Sequence, residues 1–149
     1  MRAVVQRVTH ANVIVEGKTE GAIENGFMVL LGVSKEDTDK DAEFMASKIS
    51  GLRIFDDSQD QLNLSLADVG GEVLLISQFT LYGDARKGRR PSFVHAAAGE
   101  EADRLYQLVA TKIREQGIRV ETGVFGAIME VNLCNHGPVT ILLDSKRGF

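Results

Sequence analysis

Two short segments of the chain carry polar groups at positions that suit chemistry. The first is Ser77-Gln78-Phe79-Thr80-Leu81-Tyr82, which directly follows the apolar run at residues 73–76. Hydroxyl, amide and aromatic groups at the point where a core strand leaves a sheet are typical of binding sites. The second is Asn135-His136-Gly137-Pro138-Val139-Thr140, which we interpret as a tight turn between two strands. Its Gly-Pro step permits a cis peptide bond, which is rare where no proline follows.

Neither segment supplies an obvious acid–base pair. Ser77 and Thr80 are candidate nucleophiles, but a hydroxyl nucleophile needs an adjacent base, and the sequence places none near them. His136 is the tempting general base, although a turn histidine is more often simply exposed. The chain lacks Gly-x-Ser-x-Gly, Gly-x-Gly-x-x-Gly and Walker patterns, which excludes an α/β-hydrolase elbow and those phosphate loops. No histidines have zinc-ligand spacing, and we expect no metal and no cofactor.

The composition is that of an ordinary globular chain, with 44% hydrophobic and 26% charged residues. A length of 149 residues suits one domain, which we assign to residues 1–149. No apolar run reaches the length of a membrane span and no signal peptide is evident, so we expect no membrane partner. Cys134 is the single cysteine, and we expect it to be a buried small hydrophobic residue. One cysteine cannot form an internal disulfide, which favours a reducing, cytoplasmic location.

The charge of the chain is unevenly distributed. A net charge of −4 argues against a protein that coats nucleic acid nonspecifically, and we expect no DNA partner. Residues 86–90 nevertheless place four cations in five positions. This run is either a solvated loop or a local contact for a nucleic-acid backbone, and the sequence alone does not choose between them.

Hydrophobic periodicity predicts two helices among a series of strands. Thr38 is the expected N-cap of the first helix, which ends near Gly51, and the second runs from about Gly99 to Gln116. Residues 73–79 are apolar at nearly every position, which indicates a strand buried on both faces. Short turns, such as the one at residues 16–18, join most strands. We therefore predict an α+β fold, a single domain with a mostly antiparallel, curved or barrel-like β-sheet and two packed helices.

Five segments, in order and at family-like spacing, resemble the D-aminoacyl-tRNA deacylase (D-tyrosyl-tRNA(Tyr) deacylase) family over nearly the whole chain. Any one of them would be a weak match, but the five together are specific. They are residues 1–8 (Met1-Arg2-Ala3-Val4-Val5-Gln6-Arg7-Val8), 77–81 (Ser77-Gln78-Phe79-Thr80-Leu81), 87–93 (Lys87-Gly88-Arg89-Arg90-Pro91-Ser92-Phe93), 125–129 (Phe125-Gly126-Ala127-Ile128-Met129) and 135–140.

The resemblance implies a homodimeric hydrolase that cleaves the ester between a D-amino acid, or glycine, and the 3′-terminal adenosine of tRNA. It implies that the pocket of one subunit is lined by the catalytic set Ser77, Gln78, Phe79 and Thr80. It further implies that the partner subunit contributes Gly137 and Pro138, joined by a cis bond. Two further substrate-binding roles carry over, to Arg7 as the support of the Gly-Pro turn and to Met129 as the border of the terminal adenosine.

The chain departs from the family pattern at His136, where the family usually carries aspartate. The departure bears on how the Gly-Pro turn is supported and leaves the resemblance intact. The implied mechanism needs no acid–base pair, because backbone N–H groups near Phe79 and Thr80 are suitable donors to an oxyanion and the ribose 2′-hydroxyl handles the proton. An L side chain would be rejected by a clash with the Gly137 and Pro138 carbonyls.

Two other function classes stay open at this point. One is a conventional serine or threonine esterase that acts on a small ester through Thr80 and His136. The other is a noncatalytic RNA-binding module that uses residues 86–90, although 6% aromatic residues and no tryptophan suit base stacking poorly.

Overall fold

Eight strands, three helices and one 3₁₀ turn make up the fold, and the computed structural model describes residues 1–149. The helices are α1 Asp39–Gly51, α2 Leu66–Val69 and α3 Gly99–Arg114, and the 3₁₀ turn is Phe79–Tyr82. The strands are β1 Arg2–Val15, β2 Lys18–Ile23, β3 Gly26–Gly32, β4 Phe55–Asp56, β5 Leu62–Leu64, β6 Glu72–Ser77, β7 Val120–Thr122 and β8 Glu130–Asp144.

The main sheet has six strands and is curved until its ends approach each other. Its order is β2-β1-β3-β6-β7, and β8 pairs with the other edge of β1. The pairs of β1 with β2, β3 and β8 are antiparallel, whereas β3–β6 and β6–β7 are parallel. At the closing edge, a Cβ on Gly21 of β2 would lie 2.8 Å from the Thr122 carbonyl oxygen of β7. The predicted α+β class with a barrel-like, mostly antiparallel sheet is confirmed, and the short helix α2 is additional.

Strand β6 passes through the middle of the core, as its apolar run predicts. Val73 and Leu75 belong to the larger hydrophobic cluster, which α1 and α3 cover. Leu74 and Ile76 point to the opposite face and join a cluster of seven buried residues beneath β1 and β8. Because both faces are apolar, this strand holds its end in a fixed position.

The two long helices begin where the sequence predicts them. Thr38 precedes α1, and its N–H donates to the Asp41 carboxylate at 2.9 Å, which satisfies an otherwise free group at the helix start. Helix α3 begins at Gly99 as predicted and ends at Arg114, two residues before the predicted end. None of the helices combines the length and the apolar character that a membrane crossing requires.

The prediction of a turn at residues 135–140 is wrong. Gln6 of β1 lies opposite Thr140 of β8, and Val8 lies opposite Asn135, so residues 136–139 all face the single residue Arg7. Both sides of the segment pair with the same strand, β1, so the chain does not reverse. The extra residues instead form a large β-bulge inside one long strand.

The prediction that Cys134 is buried is also wrong, because its side chain is exposed. Strand β8 lies at the edge of the sheet, and its Val131 and Leu133 pack partly against the smaller cluster. Alternation along the strand then turns Cys134 to the outer face, where nothing in this chain covers it.

Candidate active site

A cleft of about 510 Å³ opens where β6 leaves the sheet. One wall is the end of β6 with the 3₁₀ turn, the second is residues 93–99 before α3, and the third is the segment 125–131 that leads into β8. Its volume lies in the range of small-molecule sites. Most of its lining is apolar, and its polar side chains are those of Ser77 and Gln78. No ionisable side chain lines the cleft, and none of the three histidines does.

The backbone at the end of β6 leaves free donors beside this cleft. The Gln78 N–H donates to the Leu31 carbonyl of β3 at 2.8 Å just before the chain turns. The Leu81 N–H then donates to the Gln78 carbonyl at 3.3 Å and closes the 3₁₀ turn. The N–H groups of Phe79 and Thr80 precede this bond, so they have no acceptor within the turn.

The predicted catalytic tetrapeptide is divided between the cleft and its surroundings. Ser77 and Gln78 are half-buried and line the cleft, and Phe79 lines it with 53% of its surface exposed. Thr80 is exposed and is not a lining residue, and its hydroxyl accepts a hydrogen bond from the side-chain amide of Gln78. The Thr80 hydroxyl therefore contacts a side chain that lines the cleft but does not itself line it.

Met129 lines the cleft from the opposite wall. Its sulfur lies so close to Gly123 that a Cβ on that glycine would be 2.5 Å from it, so the missing side chain makes room for the thioether. A flexible, polarisable side chain at this point suits contact with a flat aromatic ligand.

The other three predicted residues form a separate group around the bulge of β8. The Arg7 side chain is 6% exposed, and its Nε donates to the His136 carbonyl at 2.9 Å. Its Nη1 donates to the Ile54 carbonyl at 3.0 Å and lies 3.5 Å from an Asp56 carboxylate oxygen. Arg7 thus ties the bulge to the strand β4.

Gly137 and Pro138 lie on this bulge, are exposed and are joined by a cis peptide bond. At φ +128°, a Cβ on Gly137 would lie 3.0 Å from both Arg7 Nη2 and Val139 Cγ2, so the position suits glycine alone. Neither residue lines the cleft of its own chain, and nor does Arg7. His136 contributes its backbone carbonyl to this group, while its side chain is exposed.

Comparison with known proteins decides the family. The model of the D-Tyr-tRNA(Tyr) deacylase family matches residues 4–144. The chain belongs to this family. The predicted family resemblance is therefore confirmed.

Close relatives cover the chain from end to end. A D-aminoacyl-tRNA deacylase of Koribacter versatilis is 60% identical over 149 residues, and one of Thermosipho melanesiensis is 59% identical over 150 residues. In both comparisons the match covers 100% of each chain.

Two solved structures share the fold. A protein named c-Myc DNA Unwinding Element Binding Protein is 43% identical, has a TM-score of 0.90, and is matched over 97% of this chain and 98% of its own. A probable eukaryotic D-amino acid tRNA deacylase superimposes with a TM-score of 0.81 over 95% of this chain and 97% of its own. It is 19% identical, so this likeness concerns the fold alone.

The structure adds aromatic residues to the site that the sequence reading did not single out. Phe93 packs edge-on against Phe79, with ring centroids 5.2 Å apart, and Phe125 forms part of the opposite wall. Phe125 packs on Tyr106, whose buried hydroxyl donates to the Leu75 carbonyl at 2.5 Å. Burial raises the pKa of that hydroxyl well above its ordinary value, so it stays a fixed donor under the cleft. Phe93 and Phe125 both lie in segments that resemble the family. This resemblance was the one feature of the sequence that could have identified them as site residues.

Proposed function

We propose that this chain hydrolyses the ester that joins a D-amino acid, or glycine, to the 3′-terminal adenosine of tRNA. Membership of the family supports the coarser part, an enzyme that hydrolyses aminoacyl-tRNA. The structural observation that carries the proposal is an apolar cleft without ionisable side chains, beside free backbone N–H groups. We place the reaction in the cytoplasm, where aminoacyl-tRNA is consumed.

Such a site suits a substrate whose ester is reactive enough to be hydrolysed without an acidic or basic side chain of the protein. An aminoacyl ester is activated, so water can add to its carbonyl carbon if the resulting oxyanion is stabilised. The N–H groups of Phe79 and Thr80 are the donors we assign to that oxyanion. The bond from the carbonyl carbon to the ribose 3′ oxygen then breaks, and that oxygen takes the proton released by the water through the adjacent 2′-hydroxyl. No protein side chain changes its protonation state in this scheme.

The lining of the cleft fits the two parts of such a substrate. The aromatic rings of Phe79, Phe93 and Phe125 and the thioether of Met129 provide apolar contacts for an amino-acid side chain and an adenine. Ser77 and Gln78 provide the polar contacts that fix the orientation of the substrate.

We propose that the chirality of the amino acid is judged by a second copy of the chain. The bulge with Gly137 and Pro138 is exposed and does not reach the cleft of its own chain, so it is free to enter the cleft of a partner. Carbonyl groups placed against the substrate Cα would clash with an L side chain and tolerate the hydrogen of a D-amino acid or of glycine. The active species is then a two-fold homodimer, the commonest kind of homo-oligomer.

Subunit mixing tests this cross-subunit site. One variant, Gly137→Ala, alters the bulge and keeps the cleft, and another, Ala127→Trp, fills the cleft and keeps the bulge. A heterodimer of the two has one intact site only if each site is built from both chains. Each variant alone has lowered activity, and we expect random mixing of the two to raise the activity to at least about a quarter of the wild-type value. An inactive mixture that sediments as dimers, or a fully active wild-type monomer, would contradict the proposal.

The activity itself is tested by release of the amino acid from D-tyrosyl-tRNA, compared with hydrolysis of a free D-tyrosine ester. We expect rapid release from the tRNA and little from the ester, because the ester lacks the 2′-hydroxyl and the adenosine. A conventional esterase would cleave the small ester as well, and a noncatalytic RNA-binding module would bind tRNA without release. The relative named for binding DNA motivates one control, duplex DNA, which we expect not to compete.

A further inference from the structure

A basic loop, residues 85–91, is anchored at the mouth of the cleft. Asp84 and Ser92 exchange two backbone hydrogen bonds, of 2.8 and 2.9 Å, which close the loop at its base. Phe93 follows immediately and packs against Phe79 in the cleft wall. Both ends of the loop are therefore fixed, and the loop lies beside the cleft.

The structure separates the four cations of this loop into two kinds. Arg86 makes two side-chain hydrogen bonds to Asp84, at 2.9 and 2.7 Å, which hold the pKa of that carboxyl well below its ordinary value. Its charge is thereby neutralised within the loop. Lys87, Arg89 and Arg90 are exposed and form no ion pair or hydrogen bond through their side chains.

Single cations without an ion-pair partner occur elsewhere on this chain, such as Lys40 and Lys48, but only in this loop do three of them lie within four positions. Two exposed arginines outside the loop show the opposite arrangement. The exposed Arg104 on α3 pairs with both Asp39 and Glu101. Arg119, next to β7, likewise contacts two carboxylates. Three neighbouring cations that repel one another and have no carboxylate within 4 Å are instead suited to anions supplied by a ligand.

We infer that Lys87, Arg89 and Arg90 bind backbone phosphates of the RNA strand whose 3′ end enters the cleft. This inference rests on the proposed function. Arg90 is three residues from Phe93, so their Cα atoms are at most about 10 Å apart. The cations therefore reach phosphates only a few nucleotides from the terminal adenosine. Arginine and lysine on a loop contact phosphates without reading the base sequence.

The test compares a loop variant with a matched control. The loop variant carries Lys87→Gln, Arg89→Gln and Arg90→Gln. The control carries Lys40→Gln, Lys48→Gln and Lys112→Gln on α1 and α3, none of which lines the cleft. Each variant loses three positive charges, so any effect of total charge is equal. Both are assayed on D-tyrosyl-tRNA and on D-tyrosyl-adenosine, which has no phosphate.

We expect the loop variant alone to lower kcat/KM on D-tyrosyl-tRNA and to leave D-tyrosyl-adenosine unaffected. Three phosphate contacts contribute about 2 to the slope of log(kcat/KM) against log[salt]. The wild-type enzyme and the control should therefore lose roughly twentyfold more activity than the loop variant between 50 and 200 mM salt.

The inference would be overturned if kcat/KM of the loop variant on D-tyrosyl-tRNA depended on salt as strongly as that of the wild-type enzyme. It would also be overturned if the loop variant lost kcat/KM equally on D-tyrosyl-tRNA and on D-tyrosyl-adenosine. If the wild-type chain hydrolyses neither substrate, the proposed function fails instead. Binding of uncharged tRNA then still tests the loop, because the loop variant should lose affinity and salt dependence relative to the control.

Discussion

Replacement of Arg7 by methionine should loosen the bulge of β8 and cost the protein measurable stability. Arg7 donates to two backbone carbonyls, those of His136 at 2.9 Å and Ile54 at 3.0 Å. Methionine fills a similar part of the buried space but has no donor. Both carbonyls then lose their partner, and the bulge loses its link to β4.

The size of the effect follows from these two bonds. A buried acceptor left without its donor costs about 1–3 kcal/mol, and the His136 carbonyl is only partly buried, so we expect a total of about 2–4 kcal/mol. In a chain of this length, 1 kcal/mol shifts Tm by about 2–4 °C. The predicted fall in Tm for Arg7→Met is therefore about 5–15 °C.

Thermal unfolding followed by circular dichroism measures this fall, with Arg53→Met as the control. Arg53 also donates through Nε to a carbonyl, that of Asn63, at 2.9 Å, but this contact is exposed to water. We expect the control to lose less than about 1 kcal/mol. Deacylation of D-tyrosyl-tRNA, measured well below both Tm values, should fall in Arg7→Met and stay unchanged in Arg53→Met. A fall in Tm below about 2 °C with full activity would refute the role of Arg7.

Three further predictions concern the bulge, the nucleophile and acid stability. Gly137→Ala places a Cβ 3.0 Å from Arg7 Nη2, so it should lower kcat/KM on D-aminoacyl-tRNA without creating activity on the L form. Thr80→Ala should retain measurable hydrolysis, whereas loss of a true nucleophile costs several orders of magnitude in kcat. Burial raises the pKa of Asp41, but the hydrogen bonds that its carboxylate accepts lower this pKa by more, and the largest of these contributions comes from Ser145. The resulting pKa is about 2, below the ordinary value of 3.8. The ionised carboxylate stabilises the fold above pH 3.8 and loses this effect as pH falls towards 2, so Ser145→Ala should raise the pH midpoint of acid unfolding.

The sequence correctly predicted those helices and strands whose formation depends mainly on the residues within them. The helix after Thr38 and the buried run at residues 73–76 follow from periodicity, which neighbouring strands do not alter. The bulge at Gly137 could not be predicted in this way. A Gly-Pro step is compatible with a turn and with a bulge, and the choice depends on whether both flanking segments pair with the same distant strand, β1.

The exposure of Cys134 has a similar origin. Alternation along a strand shows which residues share a face but not which face is covered, and for an edge strand this depends on the packing partner. The composition of the cleft was only partly predictable for the same reason. Ser77 and Phe79 follow directly from the end of one strand, whereas Phe93 and Phe125 come from distant segments that the fold brings together.

The most direct test of the account is the rate at which the wild-type chain releases tyrosine from the same tRNA charged with D-tyrosine or with L-tyrosine. Single-turnover conditions remove any difference in product release, and a reaction without enzyme gives the spontaneous rate of each ester. We predict rapid hydrolysis of D-tyrosyl-tRNA and an L-tyrosyl-tRNA that decays no faster than it does without enzyme. Equal enzymatic rates on the two esters would contradict a site that judges chirality by exclusion.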